Sequence, residues 1–431
     1  MLLQSIAQTS QNINQQNLSM GRIYSNIVLL ILLCLLSPLL YAQQKKYIPL
    51  VRESTADSAK NNVDNQKDIG DEIDQLFGKK RTVKKSDSVG LKPEISVIPA
   101  LGYALQSRLA VLLAGNMAFR TAPESRISTI IASAAYTQNK QFTLPIQSSI
   151  WNKSNTYNFV GEMRFYRYPQ STFGLGSSSN INNEDPMKYD YIRFSEIVLR
   201  HVSGNFYAGA GYIIDYHTDI SHAGTENGAV SDYATYGPAA HTTSSGITLD
   251  GLIDTRDFSI NPSSGFYASY QFRENLRGLG STSTWNSLIL DIRKYYRFPA
   301  SSNNVIAFWS YDWLTLSGKP PYLDLPSTLW DEDTNAGRGY IQGRFRGAQM
   351  VYFETEYRYR ITANGLLGGV VFVNMESFSA AQGTRLQAIQ PAFGPGLRIK
   401  LNKISKTNVC IDYGIGREGS RGLFVNVGEL F

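Results

Sequence analysis

The sequence predicts an all-β protein, a transmembrane antiparallel β-barrel of about 16 strands. Three observations carry that expectation. An export signal opens the chain. The chain holds Tyr 26, Phe 20 and Gly 36 with no second apolar run long enough to cross a membrane as a helix. From Pro93 onward, strand-length segments alternate apolar and polar residues between turn-forming clusters. In a soluble sandwich the apolar faces of such strands would meet a second sheet; in a barrel they meet lipid and the polar faces line the lumen.

Residues 1–42 read as a signal peptide. Arg22 precedes an apolar run of about fourteen residues, Ile27 to Leu40, and Tyr41-Ala42-Gln43 places a small residue where signal peptidase would cut. Pro38 interrupts the run, which is short for a spanning helix, so export is expected rather than anchoring. Met1–Ser19 has no signal character, which makes Met20 the alternative start, with Arg22 as its basic n-region. Cys34 follows Leu33 and not the small residue of a lipoprotein signal, so no lipid anchor is expected. Once the signal is removed Cys410 is the only cysteine, and no intramolecular disulfide can form. The net charge of +6 mixes both signs without a basic block outside the tail and loops, which argues against nucleic-acid binding.

Residues 43–92 are rich in Lys, Asp, Asn, Ser and Gln and cannot bury enough apolar surface to order themselves, so a disordered periplasmic tail is expected. One island stands out near 68–77. Asp68 can cap a short helix whose Ile69, Ile73, Leu76 and Phe77 share a face and which ends at Gly78. It reads either as a transient helix or as an element that docks on the barrel or a partner.

Residues 93–431 form the barrel. Strands are expected at 94–103, 106–119, 126–137, 141–152, 156–168, 188–201, 204–216, 245–254, 264–274, 284–297, 304–316, 349–361, 365–375, 391–401, 407–415 and 421–430. With both ends on the periplasmic side, turns after even-numbered strands should be short and loops after odd-numbered ones can be long. The sequence fits: 153–155, 202–205 and 363–365 are compact turns, and the long segments 169–187, 217–243, 317–347 and 376–389 all fall on the other end.

The alternation is sharpest near the C-terminus. Phe393, Leu397, Ile399 and Leu401 should face out and Arg398 and Lys400 in; Val409, Ile411, Tyr413 and Ile415 out, and Asn408, Cys410 and Asp412 in. The last strand would put Leu423, Val425, Val427 and the terminal Phe431 on one face, with Phe431 as a C-terminal assembly signal.

The most unusual stretch is Gly337-Arg338-Gly339-Tyr340-Ile341-Gln342-Gly343-Arg344-Phe345-Arg346-Gly347. It is too glycine-rich for a helix and too polar for a half-buried strand. It suits a sharply bending loop whose arginines seek carboxylates. The following strand alternates Glu354, Glu356, Arg358 and Arg360 with Val351, Phe353, Tyr357 and Tyr359, so Arg338 is expected to point inward to Glu356 and to the wall around Phe372 and Asn374.

Three motifs resemble the BamA/TamA superfamily of outer-membrane barrels, the bacterial surface antigen family, over Pro93 to Phe431. Gly251-Leu252-Ile253-Asp254-Thr255-Arg256-Asp257, with Asn261-Pro262 and Gly265-Phe266-Tyr267, resembles the family's strand, periplasmic turn and strand. The Gly337–Arg346 stretch resembles its sixth extracellular loop, which in the family folds into the lumen, and Val371-Phe372-Val373-Asn374 its facing wall. The resemblance implies an outer-membrane location, a surround of lipid and lipopolysaccharide, the barrel assembly machinery as a partner in biogenesis, and a periplasmic or lipoprotein partner. It implies assistance to protein insertion or translocation through a weak seam between the first and last strands. The alternative is a structural or passive-pore barrel, or a membrane platform for a partner.

Departures from the family bear on that choice. Asn374 stands where the family usually has Asp, Gly337 where it has a larger apolar residue, and the tail is shorter than one of the family's periplasmic repeats. Restoring the charge with Asn374→Asp should therefore tighten the loop. An enzyme is not expected: His201, His217, His222 and His241 read as polar loop histidines without a glycine-flanked nucleophile. No Cys/His spacing suggests a metal or cofactor, and Asp331-Glu332-Asp333 reads as a solvated acidic loop.

Overall fold

The computed structural model describes residues 66–76, 91–331, 335–403 and 406–431. Alternating side chains and turn residues produce one antiparallel sheet curled into a nearly closed barrel. Its strands are β1 (Glu94–Ala104), β2 (Arg108–Arg120), β3 (Ile127–Thr137), β4 (Phe142–Trp151), β5 (Tyr157–Arg167), the three-residue β6 (Gln170–Thr172), β7 (Asp185–Ser203), β8 (Phe206–His222), β9 (Thr242–Asp254), β10 (Gly265–Asn275), β11 (Trp285–Arg297), β12 (Val305–Gly318), β13 (Gln349–Arg360), β14 (Leu367–Ser379), β15 (Gln390–Asn402), β16 (Thr407–Ile415) and β17 (Arg421–Val427). Setting aside β6, which only pairs with the start of β7, sixteen strands build the wall, each beside its neighbour in sequence.

Burial follows the period of two. On β13 and β14, Val351, Phe353, Val371 and Val373 are exposed, whereas Tyr352, Glu354, Asn374 and Glu376 are fully buried. A face that exposes large apolar residues while burying carboxylates suits hydrocarbon outside and protein inside. Among the described residues no helix is long and apolar enough to cross a membrane.

Two expectations at the strand ends are corrected. The hairpin of β7 and β8 runs through 185–222, longer than the expected 188–216, because Met187 still pairs with His222 past a bulge at Lys188/Asp190. His217 is therefore a strand residue, not a loop one. At the other end β17 stops at Val427. Gly428, at φ +98, turns the chain, and Phe431 is buried rather than facing out with Val427. Its ring stacks 5.1 Å from Trp309, and Arg358 Nη2 donates to its backbone oxygen at 3.0 Å.

The island in the tail is a helix, α1 (Ile69–Leu76). Asp68 Oδ1 accepts from the Asp71 N–H and Asp71 Oδ2 from the Asp68 N–H, both at 3.0 Å, a reciprocal N-terminal cap. The helix docks on two short turns: Lys67 N donates to Asn364 O at 3.0 Å, and Lys403 Nζ pairs with Asp71 at 2.7 Å. Residues 43–65 and 77–90, which include Phe77, and the signal peptide lie outside the described residues. Because the Lys403–Asp71 pair is partly open to water, Lys403→Ala should cost under about 1 kcal/mol and leave the heat-modifiable barrel intact. Loss of assembled barrel in that variant would mean that α1 supports the fold.

Candidate functional site

The loop 319–348 owes its path to its glycines. Gly337, Gly339 and Gly343 lie at φ +116, +109 and +77, where side-chained residues are strained. At Gly337 a Cβ would also fall 2.5 Å from Thr328 Cγ2, which accounts for glycine at that position. The loop's two arms pair with each other: Thr328 N donates to Phe345 O, and Gly343 N to Thr328 O, both at 3.0 Å.

This path delivers Arg338, 1% exposed, to the buried face of the wall. Its Nη2 bonds both Glu354 and Glu356 of β13, and its Nη1 bonds Asp412 of β16 at 2.5 Å. The guanidinium lies 3.8 Å from the centre of the Phe372 ring on β14, a cation–π contact. Asn374 Nδ2 donates to the backbone oxygen of Arg338 at 2.9 Å. The cluster continues through Arg358, which bonds Glu356 at 2.6 Å, and Arg398, which bonds Asp412 at 2.5 Å and Glu429 at 2.9 Å. Three arginines and four carboxylates thus form one buried network, in which removing a member leaves its partners short of compensating charge.

Small residues let the loop come this close. A Cβ on Gly414 would lie 2.6 Å from Gly339 N, and one on Gly339 would lie 2.6 Å from Ala392 Cβ. Tyr340 anchors the tip: its hydroxyl donates to Pro391 O at 2.7 Å and accepts from Arg417 N at 3.1 Å. Burial pushes its phenol up to about 12, so it remains a neutral donor.

The other expected residues fall in two places. Arg344 reaches Ser179 and Glu418, and Arg346 Nη1 donates to the carbonyls of Tyr322, Leu323 and Leu325. Both hold loop to loop and do not join the Arg338 network. The strand-turn motif is at the opposite end. There Arg256 forks onto Asp254 at 2.8 and 3.0 Å, Asp257 accepts from the Ser263 and Ser264 amides, and Pro262 sits in the turn. Gly265, at φ +108, could not carry a Cβ, which would strike Thr255 O.

Glu354 and Asp412 were not anticipated as partners of Arg338. Both stand at inward positions of the alternation, which was the available signal. Their presence also reverses the expected effect of Asn374→Asp. Asn374 is the cross-strand neighbour of Glu354 and donates to a carbonyl, so an aspartate would set a carboxylate against both. The variant should loosen the loop by about 1–3 kcal/mol, seen as faster proteolysis of 319–348. Slower proteolysis would restore the original expectation.

Three further readings are corrected. His217 is buried, with its ring stacked 4.5 Å from that of Tyr191. His222 bonds Asp185 at 2.9 Å. Asp331 is buried and accepts from the Asn335 and Ala336 amides, because the loop folds over it; Glu332 and Asp333 lie outside the described residues.

No protein-family model and no curated protein matches the chain. Solved structures do. BamA from Haemophilus ducreyi lacking POTRA domains 1–3 superposes with a TM-score of 0.51 at 13% identity, over 78% of this chain and 69% of that one. The barrel has the BamA fold. CdiB from Acinetobacter baumannii (TM-score 0.50, 10% identity, 78% and 65%) and CdiB from Escherichia coli (0.51, 7%, 78% and 62%) are similar too. The chain thus spans about two thirds of the length of each. In this BamA-like barrel, the Arg338 network is the densest concentration of buried charge among the described residues.

Proposed function

We propose that the chain is an exported outer-membrane barrel that assists insertion or translocation of polypeptides, with its 319–348 loop as a plug in the lumen. The observation that carries this reading is the seam. β1 pairs with β2 along its whole length and β17 pairs with β16, but among the described residues no ladder joins β1 to β17. Two strand edges side by side without a ladder are costly in hydrocarbon and are the place where an incoming strand gains most by pairing. The buried Arg338 network holds the opposite requirement: it keeps the lumen filled while the wall is weak.

The turn after β1 supplies a test. The Leu105 side chain lies against Gly422 at the start of β17, so Leu105→Cys with Gly422→Cys can close the seam with a disulfide. In vesicles, the oxidised double variant should lose insertion of an unfolded outer-membrane protein and regain it on reduction. Native Cys410 is buried and should not interfere. Equal insertion in both states, or none in either with conductance unchanged, would favour the structural or passive-pore reading.

A further inference from the structure

A cavity with an open volume of about 130 Å³, room for roughly ten waters, lies at the end of the barrel where α1 docks. The strand register explains why it is hollow. Arg360 of β13, Gly368 of β14 and Arg398 of β15 stand in one cross-strand row, and the middle position has no side chain to fill the gap. Lys400, two residues beyond Arg398 on the same inward face, stands opposite Asn408 of β16. Gln66, just before α1, and Asn261, in the turn between β9 and β10, complete the lining at the rim.

Four cations line this space against one carboxylate, Glu429. Two of them are already compensated: Arg358 bonds Glu356, and Arg398 bonds Asp412 and Glu429. Arg360 and Lys400 are not. Among the described residues neither has a carboxylate partner; Arg360 Nη1 makes one long contact, to Ala363 O at 3.4 Å, and Lys400 Nζ makes none. Arg360 is exposed and Lys400 half-buried, so both side chains meet the open volume. The acids at the head of α1 are engaged elsewhere: Asp71 pairs with Lys403 Nζ at 2.7 Å, and Asp68 Oδ2 accepts from Lys403 N at 3.2 Å. Asn261 Nδ2 reaches Lys406 O and Glu429 only at 3.4 Å, which leaves its amide weakly used.

Two uncompensated cations on one small space favour a doubly charged anion. The donors come from β13, from β15 and from the turn before β10, so acceptor oxygens are wanted on several sides. A tetrahedral oxyanion supplies them; a planar carboxylate does not. Volume sets the other limit, since the space takes a phosphate group with a few waters and not a whole nucleotide or lipid headgroup.

We propose that this cavity binds a phosphate group, as inorganic phosphate or as the end of a small phosphate ester, between Arg360 and Lys400, with the Asn261 and Gln66 amides on its remaining oxygens. The site is independent of the seam and of any insertion activity.

Titration calorimetry of the full chain in detergent, in mildly alkaline buffer of low salt, tests it with inorganic phosphate and with acetate. Phosphate should bind saturably and roughly tenfold or more tighter than acetate. Lys400→Gln and Arg360→Gln should each lower phosphate affinity by roughly tenfold. Neither residue bonds Arg338, so both variants should keep a heat-modifiable barrel and the parent rate of proteolysis in 319–348; the exposed Arg360 serves as the probe that cannot disturb packing. Glycerol 3-phosphate in place of phosphate separates the two sources: equal or tighter binding marks an ester as the ligand, weaker binding the free ion. Absence of saturable phosphate binding, acetate binding as tightly as phosphate, or unchanged affinity in Arg360→Gln would each overturn the assignment and leave a hydrated basic mouth.

Discussion

Arg338→Ala should loosen the 319–348 loop more than any other side-chain truncation, at a cost of about 3–5 kcal/mol. The substitution leaves Glu354, Glu356 and Asp412 buried around an absent cation, with Arg358 and Arg398 reaching only part of that charge. Desolvated carboxylates then either take up protons or draw in water, and the loop loses its deepest anchor. Limited proteolysis of 319–348 should accelerate and single-channel conductance should rise, with membrane targeting unchanged. Arg338→Lys should fall between, since one ammonium cannot fork onto three carboxylates. Loop protection equal to the parent barrel would show that the network does not hold the loop.

Gly414→Val should reach the same phenotype by a different route. Here no charge is removed. The added side chain would occupy the space of Gly339 N and Cα, 2.6 and 2.7 Å from its Cβ, and the contact is backbone that cannot rotate aside. Either β16 bows or the loop tip lifts, at about 1–3 kcal/mol for the overpacking, more once Arg338 is drawn off its partners. Proteolysis and conductance should change in the direction of Arg338→Ala, and the double variant should be less than additive because both act on one contact. Full additivity would separate Gly414 from the Arg338 anchor.

The sheet was legible in the sequence because its determinants are local. Alternation and turn residues placed all sixteen wall strands, with most ends within a few residues of those observed. The inward direction of Glu356, Phe372 and Asn374 followed from the same period. What could not be read needs the closed wall. Arg338 joins β13 to β16, strands far apart in sequence order that the curvature brings around one guanidinium, and no alternation pattern reports that. Phe431 was misplaced because Gly428 ends the period of two just before it. His217 was misplaced because the β7–β8 pairing survives a bulge that resembles a strand end in the sequence.

That surviving hairpin has a consequence for the cell exterior. Along its outward face the paired residues Phe194/Ile214 and Ile192/Tyr216 give way to Asp190/Thr218 and then Lys188/Ser221. Above Ile192 the outward pairs are polar or charged. On the reading of this end as extracellular, the remaining ladder rises roughly 15 Å past that line, at about 3.3 Å per residue. In the loop that follows, the short helix at Asp232–Tyr236 does not extend the hairpin but packs on the 319–348 loop, with Tyr236 Oη donating to Pro320 O at 2.8 Å and Tyr233 against Tyr322. On that reading the upper ladder stands clear of hydrocarbon, where water reaches its outward side chains.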